Sequence, residues 1–248
     1  MQQIVELVER TPMSNLSTSP ETSAFITYLE KWYQALEIIS FKAIAPDASR
    51  TAVISVDMIN GFCLSGPLAS PRVAKIKEPI VKLLESSWNY GIRNIILAQD
   101  SHDPDSKEFS AFPPHCVVGT PESETIDEIK NLPFFDQMVI IKKKSLSTHI
   151  GTDFDKWRLA HQDIDSFIVV GDCTDLCVYN LAMHLQMEAT SKGMNQRVII
   201  PASCVDTYDI SLETAKQINA FPHPGDFFHL TFMYHLALNG IEIYQSIQ

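Results

Sequence analysis

The chain has 248 residues, 45% of them hydrophobic, enough for one large globular domain with a buried core. A formal net charge of −11 excludes the broad basic face that phosphate-backbone binding needs, so no nucleic-acid partner is expected. No apolar run reaches the ~18 residues of a membrane helix, and five cysteines form no disulfide-framework or zinc-finger pattern, so a cytoplasmic protein with reduced thiols is expected.

The N-terminus, MQQIVELVERTPMSN, has no continuous apolar core and no small-residue cleavage site, so no signal peptide is expected. Residues 1–20 are mixed in polarity and read as a loose arm. From Ser19, SPETSAFITYLEKWYQALEII has helical spacing, with Ser19 as N-cap, Pro20 as first helical residue and Glu21 as an early acid. Residues 1–48, arm and helix, are expected to pack on a single domain spanning 49–248. TAVISVDM (51–58) is a β-branched run ending in a carboxylate, the pattern of a buried parallel strand. Residues 72–90 read as a helix with Pro79 as a kink or restart. IRNIILAQD (92–100), MVIIKK (138–143), DSFIVVGD (165–172) and QRVIIPA (196–202) read as four further strands, with helical segments near 122–131, 153–162, 175–190 and 211–220. The stretch FFHLTFMYHLALNGIEIYQS reads as a helix followed by a sixth strand. This alternation predicts a doubly wound α/β fold, a mainly parallel six-stranded sheet flanked by helices. The one long irregular segment, 100–121, has the length at which a loop in a compact domain is usually functional.

Ligands in open α/β sheets bind beyond the carboxyl ends of the strands. Those ends carry Asp57, Asp100, the lysines 142–144 and the corner GDCTDLC (171–177). Cys177 falls in the first turn after a strand, with Thr174 as the expected helix N-cap. Free amides and the helix dipole there are expected to lower its pKa and to offer an oxyanion site. A Cys173–Cys177 disulfide would strain the corner, and no further Cys or His near it suggests a metal clamp. One nucleophile with a bystander is the favoured reading, with Asp57 as proton acceptor and a lysine of KKK to steady charge. The loop DSHDPDSKEFSAFPPHC (100–116) supplies Asp100, His102, Glu108 and His115, a donor set suited to Zn²⁺, Mn²⁺ or Fe²⁺. His161, His184, His223, His229 and His235, with Cys63, Cys116 and Cys204, read as structural.

VISVDMINGF (53–62), AQDSHDPD (98–105), FPPHCVVGTPESE (112–124), KKKSLSTHIGTDFD (142–155) and GDCTDLCVYN (171–180) together resemble the isochorismatase-like cysteine hydrolases, and within them the nicotinamidase branch. The resemblance runs over roughly residues 50–245. It implies a six-stranded parallel sheet, a catalytic triad of Asp57, Lys144 and Cys177, and an oxyanion hole from the amides of Cys173 and Cys177, with a cis peptide between Asp172 and Cys173. Lys144 is chosen over Lys142 and Lys143 because the family lysine stands just past the strand end. It further implies one divalent metal ion on Asp100, His102 and His115, with Glu108 added in some members; Zn²⁺ is expected, Mn²⁺ and Fe²⁺ being the alternatives. Phe62 and Phe112 match aromatics on either side of a pyridine ring. Two departures stand out. Ser147-Thr148-His149 replaces the usual Ser-Ala-Phe, which makes His149 a candidate substrate-wall residue, and Cys173 replaces a small apolar residue. The implied activity is hydrolysis of nicotinamide to nicotinic acid and ammonia through a thioester, in NAD salvage, by a homo-oligomer. Isochorismate, ureidoacrylate or carbamoylsarcosine hydrolysis is the nearest alternative, and a non-catalytic redox sensor using Cys173 and Cys177 the more distant one.

Overall fold

A computed structural model describes Ser17 and residues 19–248, so most of the arm expected at 1–20 lies outside the described residues. The chain divides into two compact units, Met1–Ala35 and Leu36–Gln248. In the first, helix α1 (Pro20–Gln34) starts as its sequence dictates: Ser19 Oγ accepts the amide of Thr22 at 3.4 Å, Pro20 needs no donor in the first turn, and Glu21 faces the positive dipole end.

The second unit runs β1 (Ile38–Ile39), α2 (Phe41–Ile44), β2 (Thr51–Val56), α3 (Asn60–Cys63), α4 (Pro71–Lys75), α5 (Lys77–Tyr90) and β3 (Asn94–Asp100). It continues with α6 (Asp127–Lys130), β4 (Val139–Lys143), α7 (Phe154–Ala160), β5 (Ser166–Asp172) and α8 (Cys177–Lys192). The last elements are β6 (Arg197–Pro201), β7 (Val205–Asp206), α9 (Leu212–Ile218), α10 (Gly225–Leu238), β8 (Glu242–Tyr244) and β9 (Ser246–Ile247). The boundary expected at 48/49 therefore falls inside this unit. The residues after Leu36 belong to it because β1 pairs with β9 and Phe41 donates its amide to the Gln248 carbonyl, ties to the far end of the chain that a sequence window does not reveal.

The main sheet has the order β4-β3-β2-β5-β6-β8, with β7 added beside β5, and every pairing in it is parallel. All residues of β2 and β5 are buried. Val53, Ile95, Leu97, Ile168 and Val170 form one face of a core that includes Ile80, Leu83 and Leu84 of α5. The alternate residues Ala52, Ile54, Ile96, Phe167 and Val169 are equally buried, so both sheet faces are covered, as continuous apolar strands require. Pro79 does not kink a helix. The break comes at Ile76, which closes α4 and opens α5, and Pro79 sits in the first turn of α5, where its missing donor costs nothing. Residues 122–131 form less helix than expected, only α6 and a short 3₁₀ turn at Pro121–Ser123.

From β2 the chain winds outward through β3 and β4, then crosses to β5 and winds the other way. The switch point thus lies between β2 and β5, where neighbouring crossovers diverge and open a crevice. The two strands meet closely there. Gly171 has φ +115, and a Cβ placed on it would stand 1.9 Å from the Val56 carbonyl oxygen and 2.7 Å from the Val56 nitrogen. Only glycine fits that approach.

Candidate active site

Four strand ends deliver the site. Asp57 follows β2 in a left-handed conformation, φ 56, which short polar residues tolerate. Its Oδ1 accepts the amide of Asp100 at 2.8 Å, joining the ends of β2 and β3. Asp100 and Lys143 are register partners across β3 and β4. Lys143 is fully buried, and its Nζ stands 2.7 Å from Asp57 Oδ2, 2.5 Å from Asp100 Oδ1 and 3.3 Å from Cys177 Sγ. Cys177 is the first residue of α8, and the corner before it contains the cis Asp172–Cys173 peptide.

The lysine at the thiol is therefore Lys143, not Lys144. Side chains alternate along a strand, and β4 is an edge strand with one buried face, marked by Ile141 and Lys143. Lys142 points to the other face, where it bonds Gln99 and the Ser123 carbonyl. Lys144 lies past the strand end, exposed, with its Nζ 2.6 Å from Asp103. The burial of Ile141, which the apolar run 139–141 does not single out, fixes the parity that selects Lys143.

Electrostatics also depart from the sequence expectation at Cys177. Burial pushes its thiol well above the usual range; Lys143 opposes that shift, and the charges of Asp57 and Asp100 add to it. The helix start is present, yet two carboxylates face the sulfur, so the resting group is a thiol that needs a base. Burial, with Asp100 adding, raises Asp57 to about 6 against the pull of Lys143, which makes it a stronger base than an ordinary aspartate. Burial disfavours the charged forms of Lys143 and Asp100, but their mutual attraction prevails. The lysine is held well above its usual range and the carboxyl well below its own. Thr174 is not the N-cap of α8; it is buried with Oγ1 2.8 Å from His229 Nδ1, and Leu176 takes the cap position without a side-chain bond. All five cysteines are free and buried, so Cys173 and Cys177 are not paired.

Beside this triad, Asp100, His102, Glu108 and His115 place one donor atom each within 4.8 Å of one another. His102 Nε2 stands 3.5 Å from Asp100 Oδ2 and 3.9 Å from Glu108 Oε1, and His115 Nε2 stands 3.8 Å from Asp100 Oδ2. His115 Nδ1 donates to the Pro113 carbonyl at 2.8 Å, which leaves Nε2 its lone pair, the usual way a ligating imidazole is oriented. His102 Nε2 is buried with no hydrogen-bond partner. An orphaned ring nitrogen amid two carboxylates and a second imidazole fits a divalent cation.

Asp57 and Cys177 of the triad and Asp100, Glu108 and His115 of the donor set line one cleft. Phe62 and Phe112 line it, their rings 5.7 and 6.2 Å from that of His115. Leu68, Leu146, Asp172 and Leu176 also line it; the last three lie inside the quoted motifs but are not marked there as wall residues, and Leu68 lies outside them. His149 is not part of the wall. Its ring stacks on His184 of α8 at 3.4 Å, outside the cleft, because the turn after β4 carries it away from the strand ends toward α7 and α8. Among the described residues, no helix is long and apolar enough to cross a membrane.

Residues 51–223 match the Isochorismatase domain. Nicotinamidase 1 of Arabidopsis thaliana is 28% identical over 216 residues, 80% of this chain and 87% of that protein. Among solved structures, nicotinamidase PncA from Bacillus subtilis superposes with a TM-score of 0.60 at 25% identity, over 79% of this chain and 99% of the other. N-carbamoylsarcosine amidase from Thermoplasma acidophilum gives 0.59 at 26% identity, over 79% and 96%. With a domain match across most of its length and the parallel sheet those structures share, the chain belongs to the isochorismatase family.

Proposed function

We propose that this hydrolase is a cysteine amidase that converts nicotinamide to nicotinic acid and ammonia through a thioester on Cys177, a step of NAD salvage. The observation that carries the reading is the placement of Lys143 between Asp57 and Cys177 beside a four-residue donor set, of which Asp100, Glu108 and His115 line the same cleft as the thiol. The similarity to nicotinamidases supports the choice of substrate.

Asp57 accepts the proton of Cys177 Sγ, and Lys143 offsets the negative charge that moves onto sulfur. The sulfur attacks the carboxamide carbon, and the amides of Cys173 and Cys177 receive the oxyanion. Asp57 returns the proton to the departing nitrogen as the C–N bond breaks and ammonia leaves. It then takes a proton from water, whose oxygen attacks the thioester and releases the acid and the thiol. Phe62 and Phe112 hold the flat ring between them, which fixes the angle of attack. A divalent cation on Asp100, His102, Glu108 and His115, Zn²⁺ by the donor set, would supply Lewis acidity toward a ring nitrogen. That demand for a ring acceptor separates nicotinamide from carbamoylsarcosine, which lacks one.

Ammonia release from nicotinamide by the purified protein tests this reading. Release is expected to be lost with a strong chelator and restored by Zn²⁺, Mn²⁺ or Fe²⁺. His102→Ala should lower both metal content and turnover by at least about tenfold. Turnover of N-carbamoylsarcosine in preference to nicotinamide would sink the substrate assignment while leaving the triad in place.

A further inference from the structure

His149, Asp155 and His184 come from three separate parts of the fold. His149 lies in the turn after β4, Asp155 in the first turn of α7, and His184 on α8, seven residues and about 10 Å along the helix from Cys177. Each places one ligand atom within 4.8 Å of the others'. The two imidazole rings stand face to face, 3.4 Å apart and 18° from parallel. None of the three belongs to the triad, to the first donor set or to the cleft wall.

We propose that these residues form a second divalent-cation site, for Zn²⁺ or a first-row ion of similar ligand preference, which clips the segment after β4 to α8. Two imidazoles and one carboxylate are a common nitrogen–oxygen donor set for Zn²⁺, with the fourth position left to water. Donors in a tetrahedral zinc site stand about 3.4 Å apart. Reaching that spacing with converging lone pairs requires the two rings to turn out of their stack. Burial, and then the neighbouring His149, favour the neutral form of His184, so its lone pair is available. Arg158 is the nearby charge that opposes a cation at His184, and Glu188 and Asp155 act against it. Arg158 is engaged by Glu188 at 3.2 Å and Gln196 at 2.8 Å, and Lys192 pairs with Glu188 at 2.5 Å.

The site has a consequence for the cleft. The clipped segment carries Leu146, which lines the cleft, and α8 begins at the nucleophile. An ion there would fix the distance between one wall and the reacting sulfur.

The test is equilibrium dialysis of the full chain against Zn²⁺ alone with metal analysis, which needs no turnover and so is independent of the amidase reading. The wild type is expected to bind two ions per chain, and His102→Ala to retain the second. The His149→Ala/His184→Ala double variant should bind one. Asp155 is exposed, so Asp155→Asn should fold normally while its second-site dissociation constant rises about tenfold or more. One ion per wild-type chain at saturation, or unchanged second-site binding in both the double variant and Asp155→Asn, overturns the proposal.

Discussion

Lys143→Met is expected to lower kcat/KM for nicotinamide by about 10³-fold, whereas Lys144→Met should change it less than about twofold. The two lysines are adjacent, but the register with β3 points one at the reacting thiol and leaves the other in solvent against Asp103. Removing the buried ammonium also strands Asp57 and Asp100 without their cation, a loss of about 3–5 kcal/mol in stability when one member of a buried ion network is deleted. The rate comparison is therefore made well below the melting transition of each variant, with near-ultraviolet dichroism to verify packing. Equal activity in the two variants would remove Lys143 from the chemistry. A large loss confined to Lys144→Met would restore the position expected from its place past the strand end.

Gly171→Ala is the substitution expected to damage the fold most. The added Cβ meets backbone rather than a flexible side chain, at 1.9 Å from the Val56 oxygen, and φ +115 is itself unfavourable for alanine. Neither β2 nor β5 can move aside without breaking the central pairing from Thr51–Ser166 to Val56–Gly171. A loss of about 3–5 kcal/mol in urea unfolding is expected, or failure to accumulate as soluble protein. Gly151→Ala is the control: its φ of +71 carries the same kind of backbone cost, but nothing lies within 4 Å, so about 1 kcal/mol is expected. Similar losses for the two would show that the β2–β5 approach is looser than the structure has it.

The layered fold was legible because buried parallel strands are short, apolar and β-branched. TAVISVDM, IRNIILAQD and DSFIVVGD each surface as one run ending at the site. The same rule placed Asp57, Asp100 and Cys177 on one rim before any contact was known. What failed was finer than a run. KKK holds three identical residues, so composition cannot separate them. The strand end at Lys143 is placed correctly, yet the lysine at the thiol is that last strand residue rather than the one just past it. Parity does not decide either, because Ile140 and Ile141 are equally apolar and only burial shows that Ile141 shares the inner face with Lys143. The depressed thiol pKa expected from the helix start did not survive burial of the sulfur, to which the charges of Asp57 and Asp100 add from other strands, and neither appears in a local window. The two-residue strands β1 and β9 are too short to show periodicity, and their pairing across almost the whole chain is a tertiary fact. His149 stands where the resemblance puts the Phe of Ser-Ala-Phe on the pocket wall, but the turn beyond β4 sends it to α8 instead.

The central claim is that the acyl group of nicotinamide passes through a covalent bond to Cys177. Acid quench within the first turnovers, followed by proteolysis and mass spectrometry of the peptide containing Cys177, tests it most directly. The account predicts a nicotinoyl thioester on that sulfur, absent in Cys177→Ala, which should also lose at least about 10⁴-fold in turnover. Ammonia released at the wild-type rate by Cys177→Ala, or an acyl group trapped on a different residue, would contradict it.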